Sequence, residues 1–331
     1  MKTYYPTLDL TKLIMAICVI MIHVSLFQDI NQTLYLLTCM GICRIAVPFF
    51  FVLTGYFYDI NQKLGKNLKH YGILFGQFLF LEGIIFLPQT INDYQRGVFF
   101  RYFFRYFTSG FSGALWYLTA SMLGFIVLHL FISHSHYFIS FFIGLCLWFI
   151  GLSMDSYAGF FQFQPFISLA QMHMNIFNLP QAGLLTSLVY MNMGAIIHHY
   201  QIDCRYKKIF LVLAVICLEL EAYFLNSCAI AYDGNIYISL LFCGPLLFLV
   251  VKESKLIRNR NLAKKCGHYS MYFYLLHPSL KHLLTAFSLP TLLRFFIVLF
   301  FTYVCSRMLM SLNFYKQNGV IKSSQHFKKT S

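Results

Sequence analysis

The chain alternates long apolar runs with short polar links. Ten runs fall near 8–27, 34–58, 71–88, 113–133, 137–154, 180–198, 209–229, 236–251, 268–287 and 290–313. A bilayer core about 30 Å thick asks for roughly 20 mostly apolar residues per helix, and each run approaches that length. The period-two alternation of a membrane β-barrel is missing from runs such as Phe78–Leu87. The pattern predicts an all-α polytopic membrane protein with about ten transmembrane helices. It predicts one membrane domain over 1–315 and a basic, mobile cytoplasmic tail over 316–331. The first run resembles a signal peptide in position, but Asp9 and Lys12 lie inside it and no small-residue cleavage site follows. It reads as a retained first helix.

Composition supports the pattern. Hydrophobic residues make up 59% of the chain and charged residues only 11%, with mean hydropathy +0.65. A soluble domain carries roughly 25% charged residues, so solvated surface has given way to lipid-facing surface. The net charge of +14 raises the question of nucleic acid, and the placement of the charge answers it. Lys63, Lys66 and Lys69 fall in one link, Arg205, Lys207 and Lys208 in another, and six basic residues from Lys252 to Lys265 in a third. With Lys2, Lys12, Lys316, Lys322, Lys328 and Lys329 they account for eighteen of twenty-five basic residues, all on one expected side. The links at 155–179 and 230–235 carry none. This is the positive-inside pattern, which expects both termini in the cytoplasm and a lipid bilayer, not nucleic acid, as partner. Arg96, Arg101 and Arg105 depart from it, in an aromatic run at the opposite side. They suit either snorkelling to headgroups or binding a phosphate or carboxylate.

Ionisable groups inside the runs are the candidate chemistry, because they are costly there. Lys12 and His23 are eleven residues apart, about three helical turns, so they share a helix face some ~16 Å apart. His23 lies ~22 Å from the start of its helix, in the outer half of the membrane. Asp9 is one turn below Lys12 and available to pair with it. Arg44 stands before an extremely apolar segment with Pro48 and Gly55, and it needs an acceptor; Glu82 is a candidate partner. Glu219, Glu221 and His277 complete the set, with Pro278 expected to free a backbone carbonyl. A histidine beside an arginine suits general-base chemistry on a hydroxyl with charge stabilisation by the arginine. It equally suits a proton relay in transport. The ten cysteines are scattered singly and suggest neither a metal nor a disulfide framework.

Four segments carry a resemblance to a known family. PTLDLTKLIMAICVIMIHVS (Pro6–Ser25) contains a Lys-x10-His pair, RIAVPFFFVLTGYF (Arg44–Phe57) comes second, then GALWYLTASMLG (Gly113–Gly124) and YSMYFYLLHP (Tyr269–Pro278). In that order they are similar to the motifs of the integral-membrane acyltransferases called acyltransferase type 3. Arg44–Phe57 also resembles the membrane domain of vancomycin-resistance serine racemases, whose membrane part is associated with serine uptake.

The family resemblance implies transfer of an acyl group, most often acetyl, from cytoplasmic acyl-CoA to a hydroxyl of a lipid-linked or surface carbohydrate. Acyl-CoA (acetyl-CoA) would be a co-substrate, with no permanently bound cofactor, in the bacterial cytoplasmic membrane. By matching positions His23 is the catalytic histidine, as base or acyl carrier, and Lys12 its basic partner. Arg44 and His277 fall in matching segments. Arg101 and Arg105 are spaced unlike the family's Arg-x-x-Arg motif. On this reading the CoA phosphates sit near Lys12 and the thioester arm runs along the helix face towards His23. A small-solute transporter and a non-catalytic component of a polysaccharide assembly system are the competing readings.

Overall fold

The computed structural model describes residues 4–58, 64–97 and 99–327, without the side chains of 100–102 and 312–327. Lys2, Lys63, Lys328 and Lys329 lie outside the described residues. The side chains of Arg101, Lys316 and Lys322 lie outside those described. Among the described residues every regular element is helical.

The helix α1 (Pro6–His23) begins with proline in its first turn, where a missing N–H costs nothing. The second apolar run is irregular. A short α2 (Gln32–Tyr35) passes into a π-helical turn (Leu36–Gly41) and a 3-10 turn (Ile42–Ile45) before α3 (Ala46–Tyr56). Then α4 (Leu64–Ile85) bends by 71° into α5 (Leu87–Gln95), with Pro88 in the first turn of α5. The aromatic run with Arg101 and Arg105 forms its own amphipathic helix, α6 (Phe99–Ser109), while Arg96 caps the end of α5. Next come α7 (Trp116–Ile132), α8 (Tyr137–Met154), amphipathic α9 (Gln164–Phe177), α10 (Leu184–His199) and α11 (Lys207–Ser227). The chain continues through α12 (Leu240–Glu253), α13 (Arg260–Leu283) and α14 (Thr291–Phe327).

Each of the ten expected runs contains helix. Among the described residues, five helices are long and apolar enough to cross a bilayer: Pro6–His23, Gln32–Tyr56, Tyr137–Met154, Lys207–Ser227 and Thr291–Ser311. The bent α4–α5 pair makes a sixth if it counts as one span. The other four runs fall short for physical reasons. Helices α7, α10 and α12 have 17, 16 and 14 residues, and α13 carries Arg260, Lys264 and Lys265 in its first turns.

Two packing arrangements position the site. The first is α1 beside α13, running parallel: Asp9 abuts Gly267 near one end, and the His23 and His277 rings meet near the other. The second is α3 crossing α10, whose residues are buried around most of its circumference. There the backbones nearly touch. A Cβ on Gly55 would lie 1.9 Å from the Met191 carbonyl oxygen, and one on Gly194 would lie 2.0 Å from that of Val52. Small residues allow this approach, which lipid-embedded helices use for dispersion contact in place of a hydrophobic driving force. At the His23 end α6 and α9 are stitched together, with Thr108 Oγ1 donating to the Ile176 carbonyl (2.7 Å) and Ser109 Oγ to that of Phe177 (2.6 Å).

Gly55→Ala is expected to push α3 from α10 and cost about 1–3 kcal/mol or more as overpacking. Thermal unfolding in detergent will show a lowered midpoint for Gly55→Ala. Gly76→Ala, where a Cβ meets nothing within 4 Å, will leave the midpoint unchanged or raised.

Candidate active site

His23 is the last residue of α1; its ring makes no hydrogen bond with the described residues, and the residue lines a cavity. Its ring centroid lies 5.0 Å from that of His277. The His277 Nδ1 is 2.8 Å from the Phe273 carbonyl oxygen. A carbonyl only accepts, so Nδ1 carries the proton and Nε2 is left as a lone pair. That Nε2 is buried without a partner. Pro278 comes next inside α13 and has no N–H to give the Tyr274 carbonyl one turn back.

Arg44 reaches the same cavity from the 3-10 turn. The π-helical turn before it adds a residue to the helical repeat and re-aims the side chains beyond it, as π-bulges commonly do at functional sites. The Arg44 guanidinium donates from Nη1 to Asn235 Oδ1, and from Nη2 to Met40 Sδ (3.1 Å) and the Asp233 carbonyl (3.1 Å). Three of its five N–H donors are committed, which leaves two. The cradle has its own anchor in Asp155, just past α8. Asp155 Oδ2 accepts from the N–H groups of Asn235 (2.5 Å) and Ile236 (2.7 Å), and its carbonyl accepts from Tyr232 N–H (2.9 Å). Burial pushes the Asp155 carboxyl up to about 6, and Asp233 adds to this. Its N–H donors and Arg44 pull the other way.

The expected pairing of Arg44 with Glu82 is not formed. The buried Glu82 accepts instead from the N–H groups of Phe111 (2.9 Å) and Ser112 (3.2 Å) and from Ser112 Oγ (2.5 Å). These donors belong to the loop before α7, so Glu82 shapes that loop, whose Ser112 and Gly113 line the His23 cavity. Glu221 does similar work elsewhere. It accepts from Tyr157 Oη (2.8 Å), Ile238 N–H (2.6 Å) and Ser239 N–H (2.9 Å), capping α12. The Glu219 carboxylate lies against Gly41, in the π-helical turn.

The cavity of about 300 Å³ brings together His23, Arg44, Ser112, Trp116, Asn235 and Lys281. A second cavity of about 270 Å³ lies towards the start of α1 and is lined by Lys12, Thr54, His70, Tyr71 and Tyr117. Lys12 pairs there with Asp9 (2.5 Å), which also accepts from Tyr4 Oη (2.8 Å). The two cavities share one wall residue, Tyr274. Around it Phe50, Tyr117 and Tyr274 form a triangle of rings with centroids 5.5 to 6.3 Å apart. Tyr274 Oη donates to the Ala114 carbonyl (3.1 Å), and Tyr117 Oη is 3.0 Å from Thr54 Oγ1. Arg105 lines a separate cavity of about 420 Å³ beside α9, away from His23. Among the described residues no group of three His, Cys, Asp or Glu is placed to hold a metal ion.

The structure therefore places His23 and Arg44 in one cavity, the His277 ring against that of His23, and Lys12, paired with Asp9, in the adjoining cavity. Sequence reasoning missed Lys281, Tyr274, Asn235 and Asp155. Lys281 had a readable signal: it lies four residues after His277, one helical turn on the same face. Asn235 and Asp155 had none, since they meet Arg44 only through tertiary contact.

The site is that of a membrane-embedded helical protein with a histidine, an arginine and a lysine converging on a polar cavity. The family profile described as an acyltransferase domain, acyltransferase type 3, matches residues 5–310, and the chain belongs to that family. Among named proteins it is similar to an amino-acid racemase of Enterococcus faecalis, 25% identical over 94% of this chain and 47% of the relative. It is also similar to a serine/alanine racemase of Enterococcus gallinarum, 25% identical over 82% of this chain and 40% of that protein. The chain thus spans less than half the length of these relatives. No solved structure matches it.

Asp155 makes a pH prediction. Its proton is held more tightly in the folded state than the ordinary value of 3.8 allows, so its contribution to stability falls as pH rises from about 4 to about 6. Asp155→Asn keeps an acceptor oxygen for both N–H groups and cannot ionise. Thermal midpoints of the two proteins across that window are expected to diverge, with the substituted protein gaining on the wild type as pH rises.

Proposed function

We propose that this protein is a membrane O-acyltransferase that moves an acyl group, acetyl above all, from cytoplasmic acyl-CoA to a hydroxyl of a cell-envelope carbohydrate or glycolipid. The proposal includes ten membrane crossings with both termini in the cytoplasm. The observation that carries it is the pair of cavities back to back at Tyr274, one holding Lys12 and the other His23 and Arg44. Acyl transfer between compartments needs this arrangement: a donor and an acceptor approach from opposite sides and meet at one reacting carbon.

In this mechanism Lys12 holds a phosphate of CoA as a point charge, and the thioester arm passes the Phe50–Tyr117–Tyr274 partition. His23 takes the proton of the acceptor hydroxyl as its oxygen bonds to the thioester carbonyl carbon. The carbonyl oxygen becomes an oxyanion, and the uncommitted N–H on Nη1 of Arg44 stabilises it. Collapse breaks the carbon–sulfur bond, and the departing thiolate takes the proton back from His23. His277 packs against the His23 ring and limits its orientations.

Two features favour a second reading, transport of a small polar solute. The named relatives are amino-acid racemases, and opposed cavities separated by a thin partition are also what alternating access requires.

The deciding experiment traces label from radioactive acetyl-CoA into envelope glycans at matched protein levels. The wild type is expected to incorporate label, and His23→Ala to lose about 100-fold or more of the rate. Equal incorporation by both would remove His23 from the chemistry. No label with acetyl or longer donors, together with solute counterflow in vesicles, would replace this reading with transport. Lys12→Ala is expected to raise the apparent KM for acyl-CoA while sparing kcat; an unchanged KM would rule out the threading of the donor past Lys12.

A further inference from the structure

Lys281 is the charge in the His23 cavity for which the described residues supply no counter-ion. It stands one turn beyond His277 on α13, half-buried, and lines the cavity. It takes no part in the ion pairs of the described residues, Lys12–Asp9, Lys207–Asp203 and Lys207–Glu253, and its ammonium makes no hydrogen bond with any described residue. The charged neighbour on the packed helix α14 is Arg294, another cation. On α1 it faces His23, and on its own helix His277.

The carboxylates around the cavity are engaged elsewhere. Asp29 accepts from Thr291 N–H (2.8 Å) and Thr291 Oγ1. Glu82 is bound by Phe111 and Ser112. Asp233 Oδ2 accepts from Asn235 Nδ2 (2.5 Å), and the Asp233 backbone holds Arg44, so those two opposite charges sit in one cluster and offset each other. There remains one uncompensated ammonium beside the histidine. Inside a membrane protein such a cation is expensive, and it marks where a charged ligand sits.

We infer that the His23 cavity takes an acceptor bearing an anionic group, a carboxylate or a phosphate, close to its hydroxyl, and that Lys281 is the residue that recognises that charge. This rests on the acceptor reading of the cavity given above and adds its chemical class. An ammonium on a flexible stem suits the task, since it meets an anion from a range of directions and keeps three donors to offer. A neutral sugar would leave the lysine unpaired and forfeit that interaction. The charge would thereby discriminate between otherwise similar hydroxyls near the membrane surface.

The test needs no turnover, so it stands apart from whether acyl transfer occurs. The chain has two tryptophans, and Trp116 lines this cavity. In full-length Trp148→Phe protein in nanodiscs, Trp116 fluorescence is quenched by iodide and, in parallel, by neutral acrylamide. Lys281→Gln is expected to lower iodide quenching several-fold while acrylamide quenching stays the same, and Lys281→Arg is expected to restore it. Unchanged iodide quenching in Lys281→Gln, or no quenching by either agent in the parent protein, would overturn the inference.

A second arm uses the unsubstituted protein and depends on no variant's folding. Thermal protection is measured with methyl glucuronide, glucose 6-phosphate and methyl glucoside. At least one charged sugar is expected to bind about tenfold or more tightly than the neutral one, the size of a charge-assisted hydrogen bond. Which of the two binds distinguishes carboxylate from phosphate. Equal protection by all three, or by none, would overturn the inference.

Discussion

A guanidinium stays ionised at any accessible pH, so a helix that carries Arg44 inward must bring acceptors to meet it. Much of the structure around the site answers to that requirement. The π-helical turn breaks the register of the second apolar run and turns Arg44 towards the cavity. Asn235, Met40 and the Asp233 carbonyl receive it. Asp155 binds the backbone of the link between α11 and α12 from the end of α8, and Glu221 caps α12, which together hold Asp233 and Asn235 where they meet Arg44. One fixed charge is therefore connected, through these bonds, to the end of α8 and to the link between α11 and α12.

Carboxylates elsewhere in the fold act mostly on backbone. Glu82, Asp155, Glu221 and Asp29 each accept from N–H groups at a loop or a helix start. Such groups are a recurring liability in a bilayer, where water is scarce and each unsatisfied donor costs several kcal/mol, on the order of a lost hydrogen bond in hydrocarbon. Acidic residues so used are withdrawn from pairing with cations. This explains why Arg44 is held by neutral acceptors and why the Lys281 ammonium, among the described residues, faces the cavity without a partner. The shortage of acidic residues, 11 against 25 basic, leaves little slack for doing otherwise.

The parallel pair α1 and α13 is the frame of the His23 cavity. Contacts at Asp9–Gly267 and at His23–His277 fix its register at both ends. The Lys12 cavity and the His23 cavity then arise from one helix face passing an aromatic partition. The close crossing at Gly55 and Gly194 sets α3 against α10, and so sets the depth at which Phe50 joins that partition. Gly55 in the Arg44–Phe57 segment has a packing role there, whereas Arg44 at its other end lines the His23 cavity.

The sequence by itself determined the helical class, the ten apolar runs, the charge asymmetry and the shared face of Lys12 and His23. These are properties of composition and of a single helix, and the 3.6-residue repeat makes them readable along one dimension. It singled out Arg44 and His277 because polar groups are conspicuous in apolar surroundings. Tertiary structure alone decided which of these groups meet. It set Glu82 on a loop and not on Arg44, drew Asn235 and Asp155 to the arginine, and made Tyr274 the wall between two cavities. Such contacts join residues far apart in the chain, 191 positions for Arg44 and Asn235. No local periodicity encodes a contact of that kind; it arises from how whole helices pack once each has formed.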